Sequence, residues 1–173
     1  TLKSNVENWK VTLLDTGTDT LTGGRILRAK EIVGDEPFLL TYGDGLSDVD
    51  VSKLIRTHEQ SKKLVTLTAV QPSGRFGALS IDSNNTITQF YEKPKGEVGW
   101  INGGFFVCQP EVFNYIQEGD RTIFERDPLE NLAKDGQLGS YKHTGFWKCM
   151  DTLADKNALE GLWQNNQASW KLW

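Results

Sequence analysis

The feature that most constrains the fold is an apolar run at residues 38–42 (FLLTY), which stops at Gly43-Asp44-Gly45. The run does not alternate between apolar and polar positions, so a strand formed by it has to be buried on both faces. Such strands are typical of parallel sheets that helices cover on both sides. The run therefore predicts an α/β protein with a polar turn at the carboxyl end of a buried strand.

Strand-like and helix-like segments alternate around this run. Strand composition marks residues 9–14, 38–42 and 64–70, whereas apolar residues at helical spacing mark residues 25–33 and 50–63. Short links join these segments. That order predicts right-handed crossovers and a largely parallel sheet covered by helices.

The second half of the sequence predicts an antiparallel insertion and then further helices. Residues 76–81 and 86–92 have the pattern of short strands around a turn at 83–85. The sequence contains no repeat or linker, so we expect one domain over residues 1–173. The remaining predicted elements are strands at 100–107 and 138–142 and helices at 110–117, 128–134 and 153–163.

Composition excludes several classes of protein. The net charge is −4, from 23 acidic and 19 basic residues, and the sequence has no basic stripe of the kind that nucleic-acid binding requires. No apolar run reaches the roughly 18–20 residues of a membrane span, and no segment resembles a signal peptide. We therefore expect a cytoplasmic protein, in which Cys108 and Cys149 are free thiols.

Two aspartates are candidates for a metal site. Asp44 follows the buried strand, and ligands of open α/β sheets collect at the carboxyl ends of strands. Asp151 comes just before the last predicted helix. Each has a structural alternative, a turn cap for Asp44 and a helix N-cap for Asp151. If the fold brings the pair together, it suits Mg²⁺, which prefers one or two carboxylates besides water and phosphate oxygens.

Two further segments offer polar groups to a ligand. Glu92 and Lys93 end a predicted strand, where Lys93 can neutralise a phosphate and Glu92 can accept hydrogen bonds from sugar hydroxyls. A solvated strand end is the alternative. Asn102 precedes Gly103 and Gly104 inside an apolar strand, and glycines there predict a bulge or the close approach of a ligand.

The other polar candidates have weaker cases. Arg25 lies near a helix start and can contact a phosphate or a base, although an exposed helical arginine is an equal alternative. Asp48 and Asp50 resemble the metal-binding acid pair of glycosyltransferases, but their position at a helix start favours capping. His58 and His143 belong to no nucleophile motif, so we assign neither a catalytic role.

Several motifs taken in order are specific, although each alone is weak. They are Thr16-Gly17, Thr22-Gly23-Gly24-Arg25, Thr41-Tyr42-Gly43-Asp44-Gly45, Gly74-Arg75-Phe76-Gly77-Ala78-Leu79, Glu92-Lys93-Pro94-Lys95-Gly96, Ile101-Asn102-Gly103-Gly104-Phe105-Phe106, Gly145-Phe146-Trp147 and Met150-Asp151-Thr152. This series resembles the sugar nucleotidyltransferase family, and within it the glucose-1-phosphate cytidylyltransferases.

The resemblance implies a Rossmann-like three-layer α/β fold and a reaction of CTP with α-D-glucose 1-phosphate that gives CDP-glucose and pyrophosphate. It also implies Mg²⁺ as cofactor and a homo-oligomer. The site residues that it implies are Asp44 and Asp151 as metal ligands, Thr20, Arg25 and Gly43 at the nucleotide, Lys93 at the sugar phosphate, and Glu92, Asn102 and Gly103 around the glucose. Thr16 and Thr22 compete for the role of Thr20.

The sequence departs from the family pattern at one point. Family members carry a Gly-Gly-x-Gly-Thr-Arg loop and a following lysine that grip the triphosphate, and these 173 residues contain no such motif. The resemblance therefore covers the C-terminal two-thirds of a family member, with the first strands of the sheet missing. We expect weak or no activity from this chain alone. A sugar-phosphate or nucleotide-binding module without turnover, or an oligomerising remnant of the fold, is the alternative.

Overall fold

The computed structural model describes residues 9–72, 78–81, 83, 85–91 and 99–171. Its helices are α1 (Thr22–Arg28), α2 (Lys30–Val33), α3 (Val51–Ser61), α4 (Asp127–Lys134) and α5 (Leu153–Gln164), with 3₁₀ helices at Pro110–Tyr115 and Gly119–Arg121. Its strands are β1 (Phe38–Thr41), β2 (Gly45–Ser47), β3 (Val65–Val70), β4 (Ala78–Ile81), β5 (Ile87–Tyr91), β6 (Ile101–Cys108), β7 (Leu138–His143) and β8 (Trp147–Cys149).

Four strands form the central sheet in the order β1-β6-β3-β7. β3 and β7 pair in parallel, with Val65 opposite Leu138. β6 lies between β1 and β3 and runs antiparallel to both. Three of the four strands therefore point the same way, which confirms the predicted α/β class with a mostly parallel sheet. The predicted antiparallel insertion is the β4–β5 pair.

The apolar core lies on one face of this sheet, against the segment that runs from the first 3₁₀ helix to α4. Phe106 packs edge-on against Phe124, and Phe38 stacks on Phe113. The buried members of this core are Val65, Phe106, Cys108, Val112, Phe113, Ile116, Phe124, Leu129 and Leu132.

Helix α3 covers the opposite face of the sheet. Its Leu54 is 1% exposed. Both ring nitrogens of its His58 are hydrogen-bonded, Nδ1 with Thr66 Oγ1 on β3 at 3.0 Å and Nε2 with Gln109 Nε2 at 2.8 Å. Burial lowers the pKa of His58. His58 thus faces the central sheet. The Asp50 carboxylate caps the helix, as expected, by accepting from Lys53 N at 2.9 Å.

Some predicted elements are wrong. Residues 9–14 form no strand, and Leu13 is 93% exposed, because a strand-like composition needs a pairing partner and none of the described strands supplies one. The helix predicted at 25–33 begins earlier, at Thr22, and is divided at Ala29. The segment predicted as a helix from Pro110 is a 3₁₀ helix.

Helix α1 is held against the 3₁₀ helix at Gly119–Arg121. Backbone hydrogen bonds of 2.9 Å run from Leu21 N to Asp120 O and from Gly23 N to Thr122 O. A Cβ at Gly24 would lie 2.6 Å from the Asp120 Cα, so the approach of these segments depends on that glycine.

Neither cysteine forms a disulfide; Cys108 is buried and Cys149 is half-buried. Among the helices of the described residues, none combines the length and the apolar character that crossing a bilayer requires.

Replacing Phe106 tests the core. Phe106 is 1% exposed, so Phe106→Ala should lower the free energy of unfolding by about 3–5 kcal/mol, through lost apolar burial and a residual cavity. Leu39→Ala is the control, since Leu39 lies on the neighbouring strand β1 and is 54% exposed; its cost should stay below about 1 kcal/mol. Urea unfolding followed by circular dichroism measures both. Equal losses would contradict the placement of the core.

Candidate active site

A two-stranded ribbon connects the two segments that carry the candidate metal ligands. β2 and β8 pair antiparallel, with Gly45 opposite Cys149. The ladder continues for one step, because Met150 N donates to Asp44 O at 2.9 Å. The backbone of Asp44 therefore lies beside the residue that precedes Asp151, and both aspartates are exposed.

Asp44 and Asp151 reach this position from different parts of the fold. Asp44 follows β1 through the Tyr42-Gly43 turn, at the carboxyl end of that strand. Asp151 lies between β8 and α5, and its Oδ2 accepts from Cys149 Sγ at 3.1 Å. Burial, and then this hydrogen bond, raise the pKa of Cys149.

The proposal that Asp151 caps α5 is wrong. Thr152 is the N-cap, and it forms a capping box with Asp155, which satisfies two backbone N–H groups reciprocally. Asp155 also accepts from Lys148 Nζ of β8 at 2.8 Å. The hydrogen bonds from Lys148 and Thr152 lower the pKa of Asp155 to about 2. The Lys148–Asp155 pair thus joins β8 to α5 across Asp151. The Asp151 carboxylate takes no part in the capping box.

A polar cluster fastens the other end of the ribbon to the central sheet. Asp48 Oδ1 accepts from Phe146 N at 2.7 Å and lies 3.0 Å from His143 Nε2 at the end of β7. Ser47 Oγ donates to Phe146 O at 2.8 Å. A Cβ at Gly145 would collide with the Asp48 carboxylate. These contacts give His143 and Asp48 structural roles in holding the ribbon.

Trp147 joins the ribbon to the first residues of β6. Its indole Nε1 donates to Gly103 O at 2.8 Å. The Trp147 side chain is half-buried. The start of β6 is thereby attached to the strand that leads to Asp151.

The predicted bulge in β6 is confirmed. Leu67 pairs with Phe106 and Ala69 pairs with Asn102, so β6 takes four residue steps where β3 takes two. Gly104 has φ +79°, and a Cβ there would lie 2.5 Å from the Tyr42 ring. Glycine is needed at this position because the left-handed backbone and the close ring both exclude a side chain.

The bulge places Asn102 beside Tyr42. Asn102 Nδ2 donates to Tyr42 Oη at 3.2 Å, and Tyr42 Oη donates to Glu125 at 2.7 Å. Burial, followed by the hydrogen bond to Glu125, raises the pKa of Tyr42. Sequence reasoning did not single out Tyr42 or Glu125 individually, since neither stands in a spacing that indicates a site.

The predicted nucleotide segment lies at the start of α1. Arg25 donates to Thr16 Oγ1 and to Thr18 O, so its guanidinium holds the loop before the helix. Thr20 is 5% exposed. Its Cγ2 lies 2.7 Å from the position that a Cβ at Gly24 would take. Both nucleotide roles stay predictions.

Two predicted site residues cannot be placed. Glu92 and Lys93 lie outside the described residues. Gly43 is exposed in the turn before Asp44.

The two aspartates suit a cation whose remaining ligands come from the substrate. No group of three or more His, Cys, Asp or Glu side chains within the described ranges could hold a metal ion. The Asp44 and Asp151 segments offer two exposed carboxylates, a number that matches the way Mg²⁺ is bound together with substrate phosphates. The residues present therefore fit Mg²⁺ at a substrate-dependent site.

Comparison with known proteins identifies the family. A family profile described as "Nucleotidyl transferase" matches residues 7–155. The chain belongs to this family. It is 51% identical to glucose-1-phosphate cytidylyltransferase of Salmonella typhi over 169 residues. This aligned region covers 97% of this chain and 65% of that protein. It is 46% identical over 167 residues to a probable glucose-1-phosphate cytidylyltransferase of Bacillus subtilis, covering 96% of the chain and 65% of the relative.

The fold comparison agrees with this assignment. HddC from Yersinia pseudotuberculosis, solved in complex with GMP-PN, superposes with a TM-score of 0.64 at 21% identity, over 92% of this chain and 70% of that one. The resemblance found in the sequence motifs is thus confirmed. The nucleotidyl transferase chain described here spans 65% of the length of its curated relatives.

The Lys148–Asp155 pair predicts a pH dependence of stability. Because the pKa of folded Asp155 is lowered to about 2, its contribution is complete above the ordinary Asp pKa of about 3.9 and is lost as the pH falls through 2. The difference in urea midpoint between wild type and Asp155→Asn should therefore shrink between pH 5 and pH 2. Lys148→Met should show a smaller pH dependence than wild type over the same range. A midpoint difference that is constant with pH would contradict this account.

Proposed function

We propose that the site around the β2–β8 ribbon binds CTP and glucose 1-phosphate and serves the reaction that forms CDP-glucose and pyrophosphate. The observation that carries the proposal is the hydrogen bond from Met150 N to Asp44 O, which puts the two acidic segments side by side. The names of the relatives from Salmonella typhi and Bacillus subtilis support the choice of cytosine and glucose.

Asp44 and Asp151 are the proposed ligands of Mg²⁺. A bound Mg²⁺ supplies charge neutralisation at the phosphate oxygens. The acids themselves contribute two anionic groups at the carboxyl end of β1, one from each side of the ribbon. The ladder holds the backbones of the two acidic segments next to each other.

The sugar side of the site is proposed to lie at the start of β6. Asn102 presents an amide there, and Gly103 presents backbone that Trp147 holds in place. The family resemblance of the Glu92-Lys93-Pro94-Lys95 motif supports Lys93 and Glu92 as further residues of the proposed sugar side. Thr20, Arg25 and Gly43 complete the proposed nucleotide side.

The proposed reaction is a direct transfer. A phosphate oxygen of glucose 1-phosphate forms a bond to the α-phosphorus of CTP, the bond from that phosphorus to the bridging oxygen breaks, and pyrophosphate leaves with the electron pair. No protein nucleophile is required. The side chains of the site act by positioning two anions that repel each other and by stabilising the charge that moves.

A homo-oligomer and a cytoplasmic location are parts of the same proposal. Strand β1 lies at one edge of the described sheet, where Leu39 is 54% exposed. Sheet edges of this kind are commonly covered by another chain or segment. Sedimentation equilibrium measures the assembly state.

Removing either carboxylate should abolish the metal dependence of ligand binding. With Mg²⁺, calorimetry should give CDP-glucose binding to wild type that is about ten-fold or more tighter than to Asp44→Asn or Asp151→Asn, because each variant loses one of the two carboxylates that hold the metal at the phosphates. With EDTA the three proteins should bind alike. Asp35→Asn is the matched control, since Asp35 is an exposed acid ahead of β1, at the opposite end of that strand.

Pyrophosphate release from CTP and glucose 1-phosphate separates the two candidate functions. Turnover that requires Mg²⁺ supports the transferase. Binding of CDP-glucose without turnover supports a binding module instead. Failure of wild type to bind CDP-glucose in any metal condition would contradict both.

A further inference from the structure

Glu125 joins two parts of the fold that flank the site. It lies between the 3₁₀ helix at Gly119–Arg121 and α4, and it is half-buried. Its Oε1 accepts from Tyr42 Oη at 2.7 Å, and its Oε2 accepts from Thr22 Oγ1 at 2.7 Å. One carboxylate therefore connects the residue after β1 with the first residue of α1.

The direction of the hydrogen bonds on the Tyr42 side is fixed. Gly104 N–H can only donate, and it donates to Asn102 Oδ1 at 2.9 Å. The other end of that amide, Nδ2, is therefore the donor to Tyr42 Oη. Since the tyrosine oxygen accepts from Asn102, its single O–H is directed to Glu125.

The direction is fixed on the Thr22 side as well. Phe124 N–H donates to Thr22 Oγ1 at 2.9 Å. The threonine O–H is then directed to Glu125 Oε2. Glu125 thus has to accept at both oxygens, which an ionised carboxylate does and which an amide, with one donating end, does not.

The Tyr42 hydroxyl has little freedom to move. Its ring lies edge-on against Phe106, with centroids 5.7 Å apart, and its backbone N donates to Gly104 O at 3.3 Å. The glycine at position 104 leaves room for the ring on its other side. Tyr42 is therefore held by packing, and the acceptor that Glu125 provides decides which way its O–H points.

We propose that Glu125 is a positioning residue for the sugar. Gly104 N–H holds the Asn102 amide at its oxygen. By accepting the Tyr42 O–H, Glu125 keeps the Tyr42 oxygen as the acceptor for one N–H of Asn102, which leaves the second N–H for a hydroxyl of the bound hexose. This inference rests on the proposed function, because it takes Asn102 to contact the sugar. It assigns Glu125 no contact with substrate.

The role predicts a selective loss of affinity. If position 125 offers no acceptor, the Tyr42 O–H is free to turn toward Asn102, where it opposes the donating Nδ2 and disturbs the amide. The sugar then loses one well-oriented hydrogen bond, worth about ten-fold in affinity. The nucleotide part of the ligand is unaffected, since neither Tyr42 nor Asn102 is assigned to it.

Glu125→Met tests the proposal, because methionine is similar in length and offers no strong acceptor to Tyr42. Calorimetry with Mg²⁺ should give a dissociation constant for CDP-glucose about ten-fold higher than that of wild type, and an unchanged constant for CDP. The side-chain amide signal of Asn102 in a ¹⁵N correlation spectrum of the ligand-free protein should also shift.

Asp135→Asn is the matched control. The Asp135 carboxylate accepts from a tyrosine as well, Tyr115 Oη at 2.9 Å, but in another part of the fold, after α4. This variant should change neither dissociation constant and should leave the Asn102 signal in place.

Tyr42→Phe keeps the test open should Glu125→Met fail to fold. It retains the ring against Phe106 and removes only the hydroxyl, so it should show the same selective loss for CDP-glucose. Where both variants fold, the double variant should lose no more than either single one, because both changes break the same chain of bonds.

Several results would overturn the proposal. Unchanged CDP-glucose affinity in the folded variants would do so, and so would equal losses for CDP and CDP-glucose, which mark a general structural defect. If wild type binds CDP but gains nothing from the glucose, Asn102 is not a sugar contact and the inference is wrong. If wild type binds neither ligand, the proposed function fails, and a persistent shift of the Asn102 signal in Glu125→Met would still separate that failure from an error in the hydrogen-bond network.

Discussion

The proposed metal site depends on one backbone hydrogen bond, from Met150 N to Asp44 O. It extends the β2–β8 ladder by one step beyond the Gly45–Cys149 pair. A change of register by one residue would turn neighbouring side chains to the opposite face of the ribbon. The acidic pair therefore depends on a ribbon whose strands have three residues each, which is too short to be stable without support.

That support comes from contacts at both ends of the ribbon. His143 and Asp48 fasten one end to the sheet, and Lys148 with Asp155 fastens the other to α5. Trp147 adds a link to the bulge of β6 through Gly103. The bulge makes room for the Tyr42 ring and turns Asn102 toward it. The candidate metal ligands and the candidate sugar contact thus belong to one connected arrangement.

The sequence predicts the strongly apolar elements and misses those that depend on distant partners. Residues 38–42 and 64–70 were found as strands because of their apolar runs. The second is buried, as expected, but β1 lies at the sheet edge with Leu39 54% exposed, so the predicted burial of residues 38–42 on both faces is wrong. The ribbon strands were missed because a three-residue strand has no periodicity of its own. Glu125 was missed for a related reason, since its contacts with Tyr42 and Thr22 span 83 and 103 positions of sequence. The bulge was predictable from Gly103 and Gly104 alone, because two adjacent glycines in an apolar strand interrupt its pairing.

The most direct test of the account is a crystal structure of the chain with CDP-glucose and Mn²⁺, which replaces Mg²⁺ at oxygen sites and gives anomalous scattering. The account predicts one anomalous peak in coordination distance of both Asp44 and Asp151, next to the diphosphate. A peak held by only one of these carboxylates, or a diphosphate bound away from the β2–β8 ribbon, would contradict it.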